Sequence, residues 1–255
     1  KQAQEKFSKD LFSFEGGNQT LTDRGAELVD VKLSHHVQSV MPNDGGWKVV
    51  SKHKRRRVEH TVDAVISTIP GWAVGKVDWP FKAEFPEKLT YPELAVTTFG
   101  FRREDVTHPL DGFGMLIPKV EERRILGALF TSTLFPGRAP DGHVTVAVFS
   151  GGLRDPEMAR MAPTTREAII LGELRSLLGV RGEAVWKYES VWEKAIPQYE
   201  VGHGKFLVEI EAIERRHPGL FLGGNYRDAV SVPDLIASGE AKASRAALFL
   251  SESHR

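Results

Sequence analysis

The residues with the most chemical promise lie between Gly219 and Leu250, GLFLGGNYRDAVSVPDLIASGEAKASRAALFL. Leu220-Phe221-Leu222 is a short apolar run of the kind a buried parallel strand shows, and it breaks at Gly223-Gly224 into a polar turn. Val232-Pro233-Asp234 then opens a helix. Proline is tolerated where the first N–H is orphaned anyway, and an acidic residue suits the positive end of the macrodipole. Ile236, Gly239, Ala243, Ala246 and Leu250 recur at helical spacing, and the small members predict a close approach to a strand or a ligand. Such a strand, turn and helix can present a helix N-terminus to an electron-rich ligand; it can equally be an ordinary element of an α/β sheet.

Other constellations carry less. His35 and His36 would point to opposite faces of a strand, and no other histidine pair has helical metal spacing, so no metal site is expected. There is no G-x-S-x-G elbow and no G-x-x-x-x-G-K-[ST] loop. Gly202-His203-Gly204-Lys205 lacks the third glycine and the upstream strand of a dinucleotide fingerprint. The absence of cysteine excludes disulfides, iron–sulfur clusters and thiol nucleophiles, and fits a reducing, cytoplasmic setting. Hydrolase and nucleotidase chemistry therefore finds no support.

The 255 residues, 41% hydrophobic and 27% charged, suffice for one or two domains with a core and argue against disorder. Lys plus Arg equals Asp plus Glu at 34 each, so no global field steers the chain to nucleic acid, and no nucleic-acid partner is expected. The run Lys52-His53-Lys54-Arg55-Arg56-Arg57 suits a phosphate or anionic-lipid patch or a solvated hairpin tip; the lack of interleaved aromatics favours the tip. No stretch approaches the ~18 apolar residues of a membrane span, and Lys1-Gln2-Ala3-Gln4 begins no signal peptide. Contact with a membrane is expected to be peripheral, on the inner face.

These residues are positioned by a recognisable order of elements. Phe14-Glu15-Gly16-Gly17 predicts a glycine turn before a short helix reaching about Val29. Strand patterns over Val31 to Val40, Trp47 to Ser51 and Val58 to Val62, hinged at Asn43-Asp44-Gly45-Gly46, predict a β-meander. Ala64 to Pro70 reads as a buried strand returning to a central sheet, and residues 71–92, rich in Pro and Trp, as a crossover. Strands follow at Leu94 to Arg102, Gly112 to Pro118, Ile125 to Thr133 and His143 to Ser150. A helix from Thr164 to Gly179 is expected, with a Thr164/Glu167 capping box and an apolar face of Ile170, Leu171, Leu174, Leu177 and Leu178. A strand over Val185 to Val191 and a helix over Phe206 to Arg216 lead to the opening segment.

The run Gly223 to Ile236, GGNYRDAVSVPDLI, closely resembles the C-terminal flavin motif of the oxygen-dependent protoporphyrinogen oxidase family, within the wider amine-oxidase-like flavoproteins. Leu110 to Pro118 (LDGFGMLIP), Arg124 to Pro140 (RILGALFTSTLFPGRAP) and Trp192 to His203 (WEKAIPQYEVGH) resemble successive signature segments of that family, in its order. The F-x-G-G-x-Q-T-L form of Phe14 to Leu21 resembles its re-entry into the cofactor domain. A related amine oxidase or carotenoid desaturase is a distant second, because FPGRAP and IPQYxVGH are far more specific than a general flavin motif.

The resemblance implies an α/β fold: part of an FAD/NAD(P)-binding, glutathione-reductase-like domain with a β-meander, plus an α+β substrate domain on a mixed sheet. The implied division is 1–15 as the tail of the substrate domain, 16–78 as part of the FAD domain, 79–200 as the substrate domain and 201–255 as the C-terminal part of the FAD domain. It further implies FAD contacts from Val37 at the adenine, from Trp192, and from Val230, Ser231 and Val232 beside the flavin pyrimidine, where a helix N-terminus suits the negative charge of reduction. Trp192 equally suits core packing. A tetrapyrrole slot is implied at Phe113, Gly114, Met115, Leu116 and Phe149, with a backbone carbonyl at the glycine facing the ring nitrogens; Phe149 equally suits plain core. Ala229 departs from the glycine more usual at its place, and no catalytic side chain is assigned.

The implied activity is FAD-dependent oxidation of protoporphyrinogen IX by O₂ to protoporphyrin IX and hydrogen peroxide, in heme biosynthesis. The alternatives are coproporphyrinogen III oxidation on the same fold and a non-catalytic porphyrin-binding or subunit chain. The G-x-G-x-x-G loop would lie upstream of Lys1, so the chain reads as the C-terminal portion of a larger flavoprotein or one half of a split one. Its expected partners are the porphyrinogen, O₂, an N-terminal half carrying that loop, and a second copy in a homodimer.

Overall fold

The computed structural model describes residues 12–253. The chain divides into two units, residues 1–35 and 36–255. In the first, Gly17 takes φ 88° and its N–H closes a turn on the Phe14 carbonyl at 2.9 Å, leading into α1 (Gln19–Ala26). The helix ends short of Val29: QTLTDRGA has no apolar stripe to bury, and Gly25 is a poor helix former. Of the tail expected over 1–15, residues 1–11 lie outside the described residues.

The second unit opens within the first strand of a meander, β1 (His35–Asn43), β2 (Gly46–His53) and β3 (Arg56–Val62), paired in that order. Asp44 at φ 37° and Gly45 at φ 84° give the two left-handed residues of the first hairpin. The basic run is the tip of the second, where Glu59 draws in Lys48 and Arg57 at 3.1 and 2.7 Å. Next comes β4 (Val65–Ser67), followed by α2 (Gly71–Val74) and α3 (Phe85–Lys88). The expectation of a fully buried strand at β4 is corrected, because Ile66 is 42% exposed and one face stands open. The presumed crossover is itself core: Val74 and Phe85 are buried with Val40, Trp47, Ile210, Ile213, Leu220 and Leu222.

The remaining strands are β5 (Leu94–Arg102), β6 (Gly114–Leu116), β7 (Ile125–Leu129), β8 (His143–Gly151) and β9 (Trp186–Trp192). The short α4 (Thr131–Leu134) and α5 (Pro156–Arg160) flank β8, and α6 (Pro163–Leu178) precedes β9. The sheet order is β6-β7-β8-β5-β9. Each neighbouring pair is antiparallel, which corrects the expected mixed sheet. The crossover through α6 carries the chain from β8 past β5, so β8 and β9 run alike on either side of an oppositely directed strand.

One face of this sheet packs Phe99, Phe101, Val146 and Val148 against Ile170, Leu174 and Leu178 of α6. The capping box is not formed. The helix starts at Pro163, so Thr164 already lies inside the first turn, and Glu167 instead pairs with Lys187 at 2.5 Å. Gly179 ends the helix at φ 61°, as a left-handed C-terminal residue.

The chain closes with α7 (Gly204–Arg216), β10 (Leu220–Leu222) and α8 (Val232–Ser253). β10 pairs in parallel with β4 and is buried throughout. The inward face of α8 is Leu235, Ser238, Lys242 and Ala246, whereas Ile236 and Ala243 from the expected stripe are exposed. The inward face is displaced by one residue from the expected stripe over its first three turns and coincides with it at Ala246, with Lys242 drawn inside by its charged partner.

Candidate functional site

β4 and β10 end together, with the Gly223 N–H on the Ser67 carbonyl at 2.8 Å. Beyond their carboxyl ends both chains turn away and leave a cleft of about 310 Å³ lined by Thr68, Pro70, Gly224, Asn225 and, from α8, Leu235, Ser238, Gly239 and Lys242. A crevice outside the carboxyl ends of parallel strands is where α/β sheets bind ligands. Gly239 has nothing within 4 Å of where a Cβ would stand, so the helix wall is open at that point. The volume is at the low end for a small-molecule site and suits one part of a dinucleotide, against which this chain would form a wall.

The turn after β10 is held by charge. Glu214 accepts from the Leu222 N–H at 2.7 Å, from Arg227 at 2.5 Å and from Arg245 at 3.0 Å, and Arg227 also donates to the Leu222 carbonyl. Burial works to raise the Glu214 carboxyl, but the bonds from Arg227, Leu222 and Arg245 outweigh it and hold the group below the usual carboxylate range. Asp228 follows the same pattern: burial opposes ionisation, and Lys242, Ser238 and the Gly224 N–H win. Beneath the turn, Tyr226 stacks on Phe85 with ring centroids 5.3 Å apart, and burial pushes its phenol up. Tyr199 donates to the Asn225 carbonyl at 2.5 Å, which ties the Trp192 to His203 segment to the turn.

The sequence-derived contacts fall into two groups. Val230, Ser231 and Val232 stand at the start of α8, outside the lining of the cleft. Ser231 acts there as a cap, its Oγ 3.3 Å from the Asp234 N–H and 2.5 Å from the Asp234 carboxylate. Val37 is exposed on β1, three residues before the core residue Val40.

The other group shares the open face of the five-stranded sheet. Across it run Leu116, Gly127, Phe149, Val96 and Ser190, each opposite the next. The adjacent row places Leu94 opposite Trp192. Thus Phe149 and Leu116 lie on the same face as Trp192, which is 56% exposed and not a core residue. Met115 is not brought to this face; it packs into the core on the other side. Phe113 is exposed just before β6. The conformation of Gly114 serves the sheet: at φ 150°, its Cβ would stand 2.2 Å from the Ala128 carbonyl oxygen.

Reading the sequence missed Thr68, Asn225, Ser238 and Lys242 in the cleft, and the Glu214 cluster beside it. A signal existed for the first two, since Thr68 directly follows the strand β4 and Asn225 follows the glycine pair that ends β10. Glu214, Arg227 and Arg245 are too far apart in sequence to announce a cluster. Among the described residues, no group of His, Asp and Glu could hold a metal ion, and no helix is long and apolar enough to cross a membrane.

Residues 1–247 match the profile of the flavin containing amine oxidoreductases, and the chain belongs to that family. Within it, the chain is 34% identical over 259 residues to the mitochondrial protoporphyrinogen oxidase of Nicotiana tabacum, covering 93% of this chain and 51% of that protein. It is 35% identical to protoporphyrinogen oxidase 2 of Arabidopsis thaliana, over 92% of this chain and 49% of that one. A crystal structure from Exiguobacterium sp. 255-15, provisionally named a protoporphyrinogen oxidase, shares the fold with a TM-score of 0.77 at 22% identity, covering 94% of this chain and 52% of its own. The chain thus spans about half the length of the curated relatives it matches.

Proposed function

We propose that this chain forms the C-terminal part of an FAD-dependent porphyrinogen oxidase that converts protoporphyrinogen IX to protoporphyrin IX, with O₂ reduced to hydrogen peroxide. The observation that carries the reading is the convergence of two features: a ligand cleft at the carboxyl ends of β4 and β10, and an open apolar sheet face on which Phe149, Leu116 and Trp192 stand together. The family and the names of its similar members supply the chemistry.

FAD, when bound, accepts hydride equivalents from the substrate and passes electrons to O₂. This chain's residues would bind and orient. Thr68, Asn225 and Ser238 offer hydrogen-bonding groups along one wall of the cleft, and Val37, Trp192 and Val230 to Val232 are the further flavin contacts in this reading. Phe113, Leu116 and Phe149 hold a flat macrocycle and keep water from it, and Met115, packed against the core behind the sheet, has no part in it. In this reading the division is 16–78, 79–200 and 201–255; the cores favour a later first boundary, because Trp79, Phe81, Phe85, Leu89 and Tyr91 pack with Val40 and Leu222 and the other core begins at Phe99. The dinucleotide half with its G-x-G-x-x-G loop, a second copy in a homodimer, and peripheral contact with the inner face of the cytoplasmic membrane belong to the same proposal.

The test is reconstitution. The chain joined to its dinucleotide half is supplied with FAD and with protoporphyrinogen IX and coproporphyrinogen III together, and porphyrin fluorescence and peroxide are followed. Flavin absorbance and protoporphyrin formation are expected. Chromatography that finds only coproporphyrin, formed from coproporphyrinogen III, would replace the substrate. A protein that binds porphyrin and takes up no flavin would reduce it to a binding subunit.

A further inference from the structure

Lys242 is a lysine on the buried face of a helix, and it lines the cleft. A buried ammonium is tolerated when it is paired, and Nζ meets Asp228 Oδ2 at 2.6 Å and Ser238 Oγ at 2.8 Å. The same Asp228 oxygen accepts from the Gly224 N–H at 3.3 Å, so one carboxylate joins α8 to the turn that follows β10. The side chain reaches it by crossing Gly223, where a Cβ would stand 2.3 Å from Lys242 Cε. Glu214 and Arg227 secure the strand end of this turn, and Asp228 and Lys242 secure its helix end.

We propose that Asp228 and Lys242 form a positioning pair for the cofactor: they hold residues 223–230 against α8 in the shape that receives the flavin, and cancel each other's charge beside it. This rests on the flavin reading above. Each residue is the other's principal counter-charge within the cleft wall. Losing Lys242 leaves Asp228 only the more distant Arg227, whose Nε lies 3.7 Å away, and so adds net negative charge near the flavin that disfavours the added electron density of reduction, whereas losing Asp228 leaves an ammonium without its carboxylate, which favours it.

The test compares the flavin-loaded protein, with its dinucleotide half, with Lys242→Met, Asp228→Asn and the double variant. Each single change is expected to weaken FAD affinity about tenfold. The reduction potential of the bound flavin should fall in Lys242→Met and rise in Asp228→Asn, with the double variant returning toward wild type. A loose fold alone does not produce opposite signs. Shifts of the same sign, or none, overturn the proposal. In the flavin-free chain, amide exchange of residues 223–231 should quicken about tenfold in Lys242→Met while the five-stranded sheet is unaffected; unchanged exchange in the turn also overturns it. If wild-type protein takes up no flavin, the flavin reading fails, and the exchange comparison still decides whether the pair holds the turn.

Discussion

Arg166 and Glu189 meet through two parallel contacts, Nε and Nη2 of the arginine lying 2.9 and 2.7 Å from the carboxylate oxygens, and this pair decides which way β9 faces. Arg166 is 1% exposed and its remaining donors reach the carbonyls of Met158, Ala159 and Met161. With Glu189 and Lys187 turned to α6, strand alternation sends Tyr188, Ser190 and Trp192 to the open face.

Arg166→Met should cost about 1.5–3 kcal/mol, because half-buried Glu189 keeps Thr97 but loses both arginine contacts, and the carbonyls of Met158, Ala159 and Met161 lose their donor. Combining it with Glu189→Leu should recover much of that loss. Urea unfolding of the four proteins measures the coupling, and additive losses would show that the pair does not set the strand.

Phe149→Arg puts a cation in the middle of the apolar row. Flavin content should stay at the wild-type level while the porphyrinogen KM rises at least about tenfold. Wild-type kinetics would exclude this face as the substrate surface.

Val232 is exposed in the first turn of α8, so Val232→Asp has no packing to lose and even suits the helix dipole. Its expected effect is on the cofactor: a carboxylate there should lower flavin retention, read as the flavin-to-protein absorbance ratio after gel filtration. An unchanged ratio at unchanged thermal stability would remove Val232 from the site.

Glu214 and Asp228 are held below their ordinary range, so their folded pKa values lie below the unfolded ones, about 4.3 and 3.9. Their contribution to stability is full above those unfolded values and disappears as pH falls through the lowered folded values. The urea midpoint should therefore drop as the pH is taken below about 5. Glu214→Gln should begin lower at neutral pH and fall less steeply; an identical slope would mean that Glu214 does not carry the effect.

Gly114→Ala combines a forbidden φ with a collision against the Ala128 carbonyl. A loss of about 1–3 kcal/mol is expected, with amide exchange in residues 113–116 rising before that of β8.

Most elements were legible in the sequence because turns, alternation and helical spacing are local. The glycine hairpin at Asp44-Gly45, the apolar Leu220 to Leu222 run and the helix opening at Val232 stand where their residue types require. The order of the signature segments likewise pointed to the flavin family to which the chain belongs. Tertiary structure alone decided which faces look inward. Lys242 outranks a stripe of small residues because Asp228 awaits it inside, and the Pro163 start of α6 frees Glu167 for Lys187. Met115 is core and Leu116 is 89% exposed although they are neighbours, since β6 has a packed side and an open one. The turn after Leu222 follows the same logic: its sequence marked it as a ligand site, and its shape comes from Glu214, Arg227, Asp228 and Lys242. These charges come from three places, α7, the turn and α8, and find one another only after the chain folds, because burying any of them is favourable only in the company of its partner.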